Sequence, residues 1–254
     1  MRKAATPTLG PGDALFLDFD GTLTEIVTDP DAAHLPEATA RDIIRLAARL
    51  GGALALLSGR DIRDLATRAP MGVWRAGGHG LEIIAPGAPV PEPPPPPPDA
   101  LLAPLREVAA LPGVRLEIKG PVIALHFRAA PEAEAACLAA ANLAARAPGL
   151  VSQVGKMVVE VKPADAHKGR ALRHLMTLAP FAGRRPVMFG DDTTDEDAIA
   201  AARTLGGIGV KVGEGASTAR YRLPSPAAVR AWLAEAASER GVRPGTAGPS
   251  TPDV

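Results

Sequence analysis

Short apolar runs alternate with amphipathic helical stretches along most of this chain. A sequence with that rhythm has few ways to bury itself except as helices packed on a mainly parallel sheet. Residues 14–19 (ALFLDF) form the first run. A helix over 37–50 follows, with Ile43, Leu46, Ala47 and Leu50 on one face, and Gly51 and Gly52 close it before the run 53–57. A second helix is predicted over 61–68, ahead of Pro70. The same pattern resumes at Lys168 with a helix, then a strand over 186–189, a helix from Thr194, a strand over 207–210 and a last helix over 227–237.

Between these halves the rhythm breaks. Apolar pieces around Trp74 and over 81–84 flank Gly77-Gly78-His79-Gly80, and Pro93 to Pro98 are consecutive prolines. Such a run has no backbone N–H to give to a sheet and favours extended polyproline II, so 91–99 is expected to be a stiff hinge or linker. Beyond it a helix (100–110), two strands (114–118, 122–127), a helix (131–146) and two strands (150–154, 157–161) make an α+β unit over 100–163. The expected architecture is therefore an α/β, Rossmann-like core (14–90 and 164–237) with an inserted α+β domain. Residues 1–13 are expected to be an N-terminal tail, and 238–254, rich in Gly, Pro, Ser and Thr, a disordered one.

Charge narrows the possible partners. The 28 basic and 28 acidic side chains cancel, which argues against a partner such as nucleic acid or an anionic membrane surface. Cys137 is the single cysteine, so no internal disulfide can form. Residues 1–12 contain no apolar run of the kind a signal peptide needs, and no stretch approaches the length of a membrane span. The expectation is a soluble, cytoplasmic protein with a small-molecule substrate.

Its chemistry is concentrated where apolar strands end. Asp18-Phe19-Asp20-Gly21-Thr22 closes the first strand, and two carboxylates there are costly to bury without a cation or proton between them. Asp191, Asp192, Asp195, Glu196 and Asp197 cluster after the strand 186–189. Thr194 and Asp197 are spaced to form a capping box, whereas Asp191 and Asp192 occupy a strand end equivalent to that of Asp18. Hard oxygen ligands of this kind suit Mg²⁺, and both acidic sites could share one ion. Ser58-Gly59-Arg60 presents a hydroxyl and a helix start suited to phosphate, and Lys168 opens the helix after the inserted unit with a compact positive charge.

In this order the four segments resemble the motifs of the haloacid dehalogenase superfamily of phosphohydrolases, and the inserted unit resembles the cap of one branch of it. Within the superfamily, Gly190-Asp191-Asp192-Thr193-Thr194-Asp195-Glu196-Asp197-Ala198 and Gly77-Gly78-His79-Gly80-Leu81-Glu82 are similar to segments of the trehalose-6-phosphate phosphatase family. Gly78 stands where that family usually has Asn. In the cap, Glu117-Ile118-Lys119, His126-Phe127-Arg128 and Glu160-Val161-Lys162-Pro163 resemble its disaccharide-reading stretches, with Lys162 for the commoner Arg.

The resemblance implies Mg²⁺-dependent hydrolysis of trehalose 6-phosphate, and with it a functional pairing with the enzyme that makes that ester. It makes Asp18 the nucleophile and Asp20 the acid/base. The cation falls to Asp18, Asp191 and the main-chain carbonyl of Asp20, with Asp192 and Asp195 orienting the ligands and Lys168. Ser58 and Lys168 hold phosphate. Gly21, Thr22, Gly59, Arg60 and His79 line the substrate side, and Glu117, Lys119, Arg128 and Glu160 bind the sugar. Phosphatases of other sugar phosphates, such as sucrose phosphate or a glucosylglycerol-type phosphate, share most of these features. A phosphoacceptor receiver domain shares the acids and the lysine, but needs neither the second Asp nor a cap.

Overall fold

A computed structural model describes residues 6–27, 32–155 and 157–238. In chain order the regular elements are β1 (Asp13–Asp18), α1 (Glu37–Arg49), β2 (Leu54–Leu57), α2 (Ile62–Arg68), β3 (Trp74–Gly77), β4 (Glu82–Ile84), α3 (Asp99–Ala109), β5 (Arg115–Lys119) and β6 (Val122–His126). They continue with α4 (Glu134–Ala144), β7 (Leu150–Gly155), β8 (Val158–Pro163), α5 (Lys168–Leu175), β9 (Arg185–Gly190), α6 (Thr193–Thr204), β10 (Ile208–Val212), β11 (Tyr221–Leu223) and α7 (Pro226–Ala237).

The larger sheet has the order β11-β10-β9-β1-β2-β3-β4. Every position of β1 and β2 is buried, as expected of apolar strands covered on both faces. β1 pairs in parallel with β2 on one side and β9 on the other. The chain therefore winds outward in opposite directions from β1, and the carboxyl ends of β1 and β9 open onto the crevice where such sheets bind ligands. β4 reverses direction and pairs antiparallel to β3, while β11 adds a short parallel edge to β10. With three residues, β11 is too short to stand out as an apolar run.

The inserted unit forms its own antiparallel sheet, β5-β6-β8-β7, together with helices α3 and α4. Its core, including Leu105, Phe127, Cys137 and Val159, is separate from the cluster built around Phe16, Leu56, Phe189 and Leu233. Burying a continuous apolar set in each unit stabilises the two independently. Residues 88–98 have no regular secondary structure, and α3 begins at Asp99 directly after Pro98, whose φ of −56° and ψ of 142° match polyproline II.

The described part of the segment expected to be an N-terminal tail packs against the core: Leu9 is buried in the main core and Trp232 Nε1 donates to the Pro7 carbonyl at 2.9 Å. A buried indole N–H needs an acceptor, and the irregular segment before β1 supplies it. Residues 1–5 and 239–254, also expected to be tails, lie outside the described residues.

Candidate active site

Asp18 is the last residue of β1, in register with Leu57 of β2, so its side chain emerges at the carboxyl edge of the sheet. Lys168, the first residue of α5, is buried and donates from Nζ to Asp18 Oδ1 and to Asp195 Oδ1, each at 2.7 Å. Asp195 Oδ2 accepts the main-chain N–H groups of Asp191 (3.0 Å) and Asp192 (3.1 Å). Asp192 caps α6, its Oδ1 accepting from Thr194 N (2.8 Å) and Asp195 N (3.1 Å). The capping box is therefore Asp192 with Asp195, not Thr194 with Asp197. Helix α6 starts at Thr193, one residue earlier than expected, and Asp197 instead pairs with His167 at 3.0 Å.

Asp18, Asp191 and Asp195 each offer a carboxylate oxygen within 4.8 Å of the others. Burial holds the Asp18 carboxyl up at about 7, with Asp191 and Asp192 adding to the rise against Lys168. Burial also holds Asp191 at about 7, with Asp195 and Asp192 as contributors. Asp18 Oδ2 is buried with no hydrogen-bond partner. Crowded carboxylates, raised affinity for positive charge and an orphaned oxygen together fit a hard divalent cation. Asp195 spends its oxygens on Lys168 and two N–H groups, leaving Asp18 and Asp191 as the less committed ligands.

The loop after β1 is shaped around this cluster. Gly21 has a φ of +81°, and a Cβ there would lie 2.2 Å from Asp191 Oδ2, so only glycine lets the two strand ends approach. Thr22 is buried and its Oγ1 has no partner. Asp20 points the other way. Arg60 grips both of its oxygens, from Nε and Nη2, at 2.7 Å each, and bonds Asp64 through Nη1 at 2.7 Å. Such bidentate pairing fixes a carboxylate plane. Ser58 is buried, with Oγ accepting from Arg60 N at 3.1 Å, which leaves its O–H to donate.

From the core, His79 reaches the cap. It sits in the left-handed region (φ 57°) of a 3-10 turn over Gly78–Gly80, and a Cβ on Gly59 would lie 2.7 Å from its ring. His79 Nε2 is 2.8 Å from Glu160 Oε2. Burial depresses the imidazole pKa, so the neutral ring donates Nε2–H to the carboxylate. Glu160 is itself held well below the usual carboxylate range: burial opposes this, but His79, Lys119 and Lys162 outweigh it. On the cap sheet Lys119 Nζ lies 3.5 Å from both Glu160 and Glu117, and His126 Nε2 is 2.6 Å from Glu117 Oε2. These groups, Arg128 and Gln153 roof a cavity of about 390 Å³ whose floor includes Asp18, Asp20, Arg60, His79 and Lys168. Glu117 and Lys119 do pair with each other, but within this cavity and not on open surface.

A catalytic-looking floor under a separately folded, charged roof is matched by the comparisons. Residues 16–227 match the family model described as trehalose-phosphatase. The chain belongs to the trehalose-phosphatase family. Trehalose-6-phosphate phosphatase of Escherichia coli (strain K12) is 40% identical over 233 residues, covering 90% of this chain and 88% of that protein. Among solved structures, the C-terminal domain of C. albicans trehalose-6-phosphate phosphatase superposes with a TM-score of 0.79 at 21% identity, covering 92% of this chain and 98% of that one. A haloacid dehalogenase-like hydrolase from Bacteroides thetaiotaomicron superposes with a TM-score of 0.61 at 18% identity, covering 88% and 98%. The fold is thus that of haloacid dehalogenase-like hydrolases with a cap.

Trehalose-phosphatase membership sets aside the receiver alternative. Of the expected residues, Asp18, Asp20, Gly59, Arg60, His79, Glu117, Lys119, Arg128, Glu160, Lys168 and Asp192 line this cavity, Gly21 and Asp191 line a second one, and Ser58, Thr22 and Asp195 are buried. Arg60 is engaged by Asp20 and Asp64, where a contact with substrate was expected. Lys211 was not foreseen at all: buried on β10, it donates to the Asp191 carbonyl at 2.6 Å. A lysine within an apolar strand, next to Gly-Glu-Gly, carries no motif of its own. Among the described residues, no helix is long and apolar enough to cross a membrane.

Proposed function

We propose that this chain hydrolyses trehalose 6-phosphate to trehalose and inorganic phosphate in two steps. The observation that carries the proposal is the position of Asp18, held by Lys168 through one oxygen, with the other buried and unpartnered on the floor of a cavity whose roof is the charged face of the cap.

Asp18 attacks phosphorus in line, forming an aspartyl-phosphate as the bond to the sugar oxygen breaks. Asp20 delivers a proton to that leaving oxygen. It then accepts one from the water that attacks the aspartyl-phosphate and returns Asp18 to its starting form. Arg60 keeps the Asp20 carboxylate oriented for both transfers. Lys168 and the Ser58 hydroxyl bind phosphate oxygens. A divalent cation, Mg²⁺ by the all-oxygen character of its donors, would be held by Asp18, Asp191 and the Asp20 carbonyl. Its chemical contribution is to neutralise the charge between nucleophile and phosphate.

Specificity is assigned to the cap. Trehalose offers hydroxyls, which Glu117, Lys119, Arg128 and Glu160 can read as charged acceptors and donors. The supplying reaction is a glycosyl transfer onto an already phosphorylated sugar, carried out in the same compartment, taken here as the cytoplasm.

The test is phosphate release from trehalose 6-phosphate in Mg²⁺, beside sucrose 6-phosphate and glucose 6-phosphate. Trehalose 6-phosphate should be turned over fastest, and chelator should stop the release. A preference for another ester would reassign the cap, and turnover in chelator would remove the cation.

A further inference from the structure

Lys211 does not line the substrate cavity. It faces a second cavity of about 770 Å³ on the other side of Asp191, and only 4% of its surface is exposed. Its backbone is in register with Gly190 of β9, one residue before Asp191. From there Nζ donates to the Asp191 carbonyl at 2.6 Å and lies 3.7 Å from Glu196 Oε1. Glu196 Oε2 in turn accepts from Thr218 N at 3.1 Å.

The consequence for Asp191 is specific. Its N–H is held by Asp195 at 3.0 Å, its C=O by Lys211, and its carboxylate rests against the space a Cβ on Gly21 would fill. Main chain on both sides of its Cα is thereby pinned, leaving side-chain rotation as its main freedom. A buried ammonium is expensive to desolvate, and an aliphatic residue would fill an inner strand more favourably if packing were all that mattered.

We propose that Lys211 is a positioning residue for Asp191 as a cation ligand: by fixing the Asp191 carbonyl it presets the carboxylate for the metal, without touching substrate. The proposal rests on the assignment of the acidic cluster as a divalent-cation site. Partners of this outer kind change metal affinity by roughly 10- to 100-fold when removed.

The experiment compares the full chain with Lys211→Met and Lys211→Arg. Mg²⁺ affinity is measured by calorimetric titration without substrate, alongside KM and kcat at saturating Mg²⁺. Lys211→Met should weaken Mg²⁺ binding by about tenfold or more. KM for trehalose 6-phosphate at saturating Mg²⁺ should stay within about twofold. Lys211→Arg, which keeps a charged donor, should recover most of the affinity. If Lys211→Met does not fold, Lys211→Gln, too short to reach the carbonyl, replaces it in the same measurement. Wild-type Mg²⁺ affinity in a folded variant lacking the ammonium overturns the role of Lys211 alone. A wild-type chain that binds no Mg²⁺ overturns the cation site as well.

Discussion

His79 Nε2 and Glu160 Oε2, 81 positions apart in sequence, lie 2.8 Å from each other and form a buried hydrogen bond between the core and the cap. Glu160 lines the cavity from the cap, and on its proposed role in reading the sugar, Glu160→Ala should affect substrates unequally. The expected loss of kcat/KM is about 100-fold on trehalose 6-phosphate and less than about threefold on p-nitrophenyl phosphate. Equal losses on the two would remove Glu160 from specificity.

Asp18→Asn keeps the shape of the side chain and removes the nucleophilic charge. Turnover of both substrates should fall by at least about 1,000-fold, with the circular dichroism spectrum unchanged. Activity near that of wild type would end the assignment of Asp18 as nucleophile.

Arg60→Ala leaves Asp20 without the guanidinium that grips both its oxygens. An effect exerted through the acid/base should lower kcat by about 100-fold, by a similar factor for the disaccharide and the small ester, and leave KM nearly constant. A raised KM with unchanged kcat would instead place Arg60 on the phosphate.

Asp18 and Asp191 each have folded-state values of about 7, against an ordinary 3.8. In metal-free protein the folded state therefore holds more protons than the unfolded chain between those limits. The stability these groups contribute is fully present below the unfolded value and is lost as pH rises through about 7. A cation needs both carboxylates deprotonated, so its stabilising effect runs the other way. Differential scanning fluorimetry should show the metal-free melting temperature falling from about pH 5 to pH 8. The increase on adding Mg²⁺ should be larger at the higher pH. A Mg²⁺ increment that shrinks with rising pH would contradict the assignment.

The motif-bearing part of the site was legible because its residues sit in short contiguous segments at strand ends. Asp18, Asp20, Lys168 and Asp191 declare themselves locally. The inserted unit was legible for a related reason, since its strand and helix runs differ in order from those of the core. What was hidden depends on long-range pairing. Nothing near Arg60 indicates that it will grip a carboxylate 40 positions away, and Lys211 meets Asp191 only because β10 lies beside β9. The capping residue of α6 was misplaced by two positions because several acids and threonines in 191–197 satisfy the same spacing, and only the helix start decides between them. β11 has three residues, below the length at which periodicity carries information.

Among the described residues, the two units do not share a hydrophobic core. Mutations that re-pack the underside of the cap sheet are therefore buffered from the proposed catalytic residues of the core. Such a chain can change which sugar it accepts by gradual substitution in one unit while selection holds the other still, and contacts between the units, the His79–Glu160 bond among them, limit that independence.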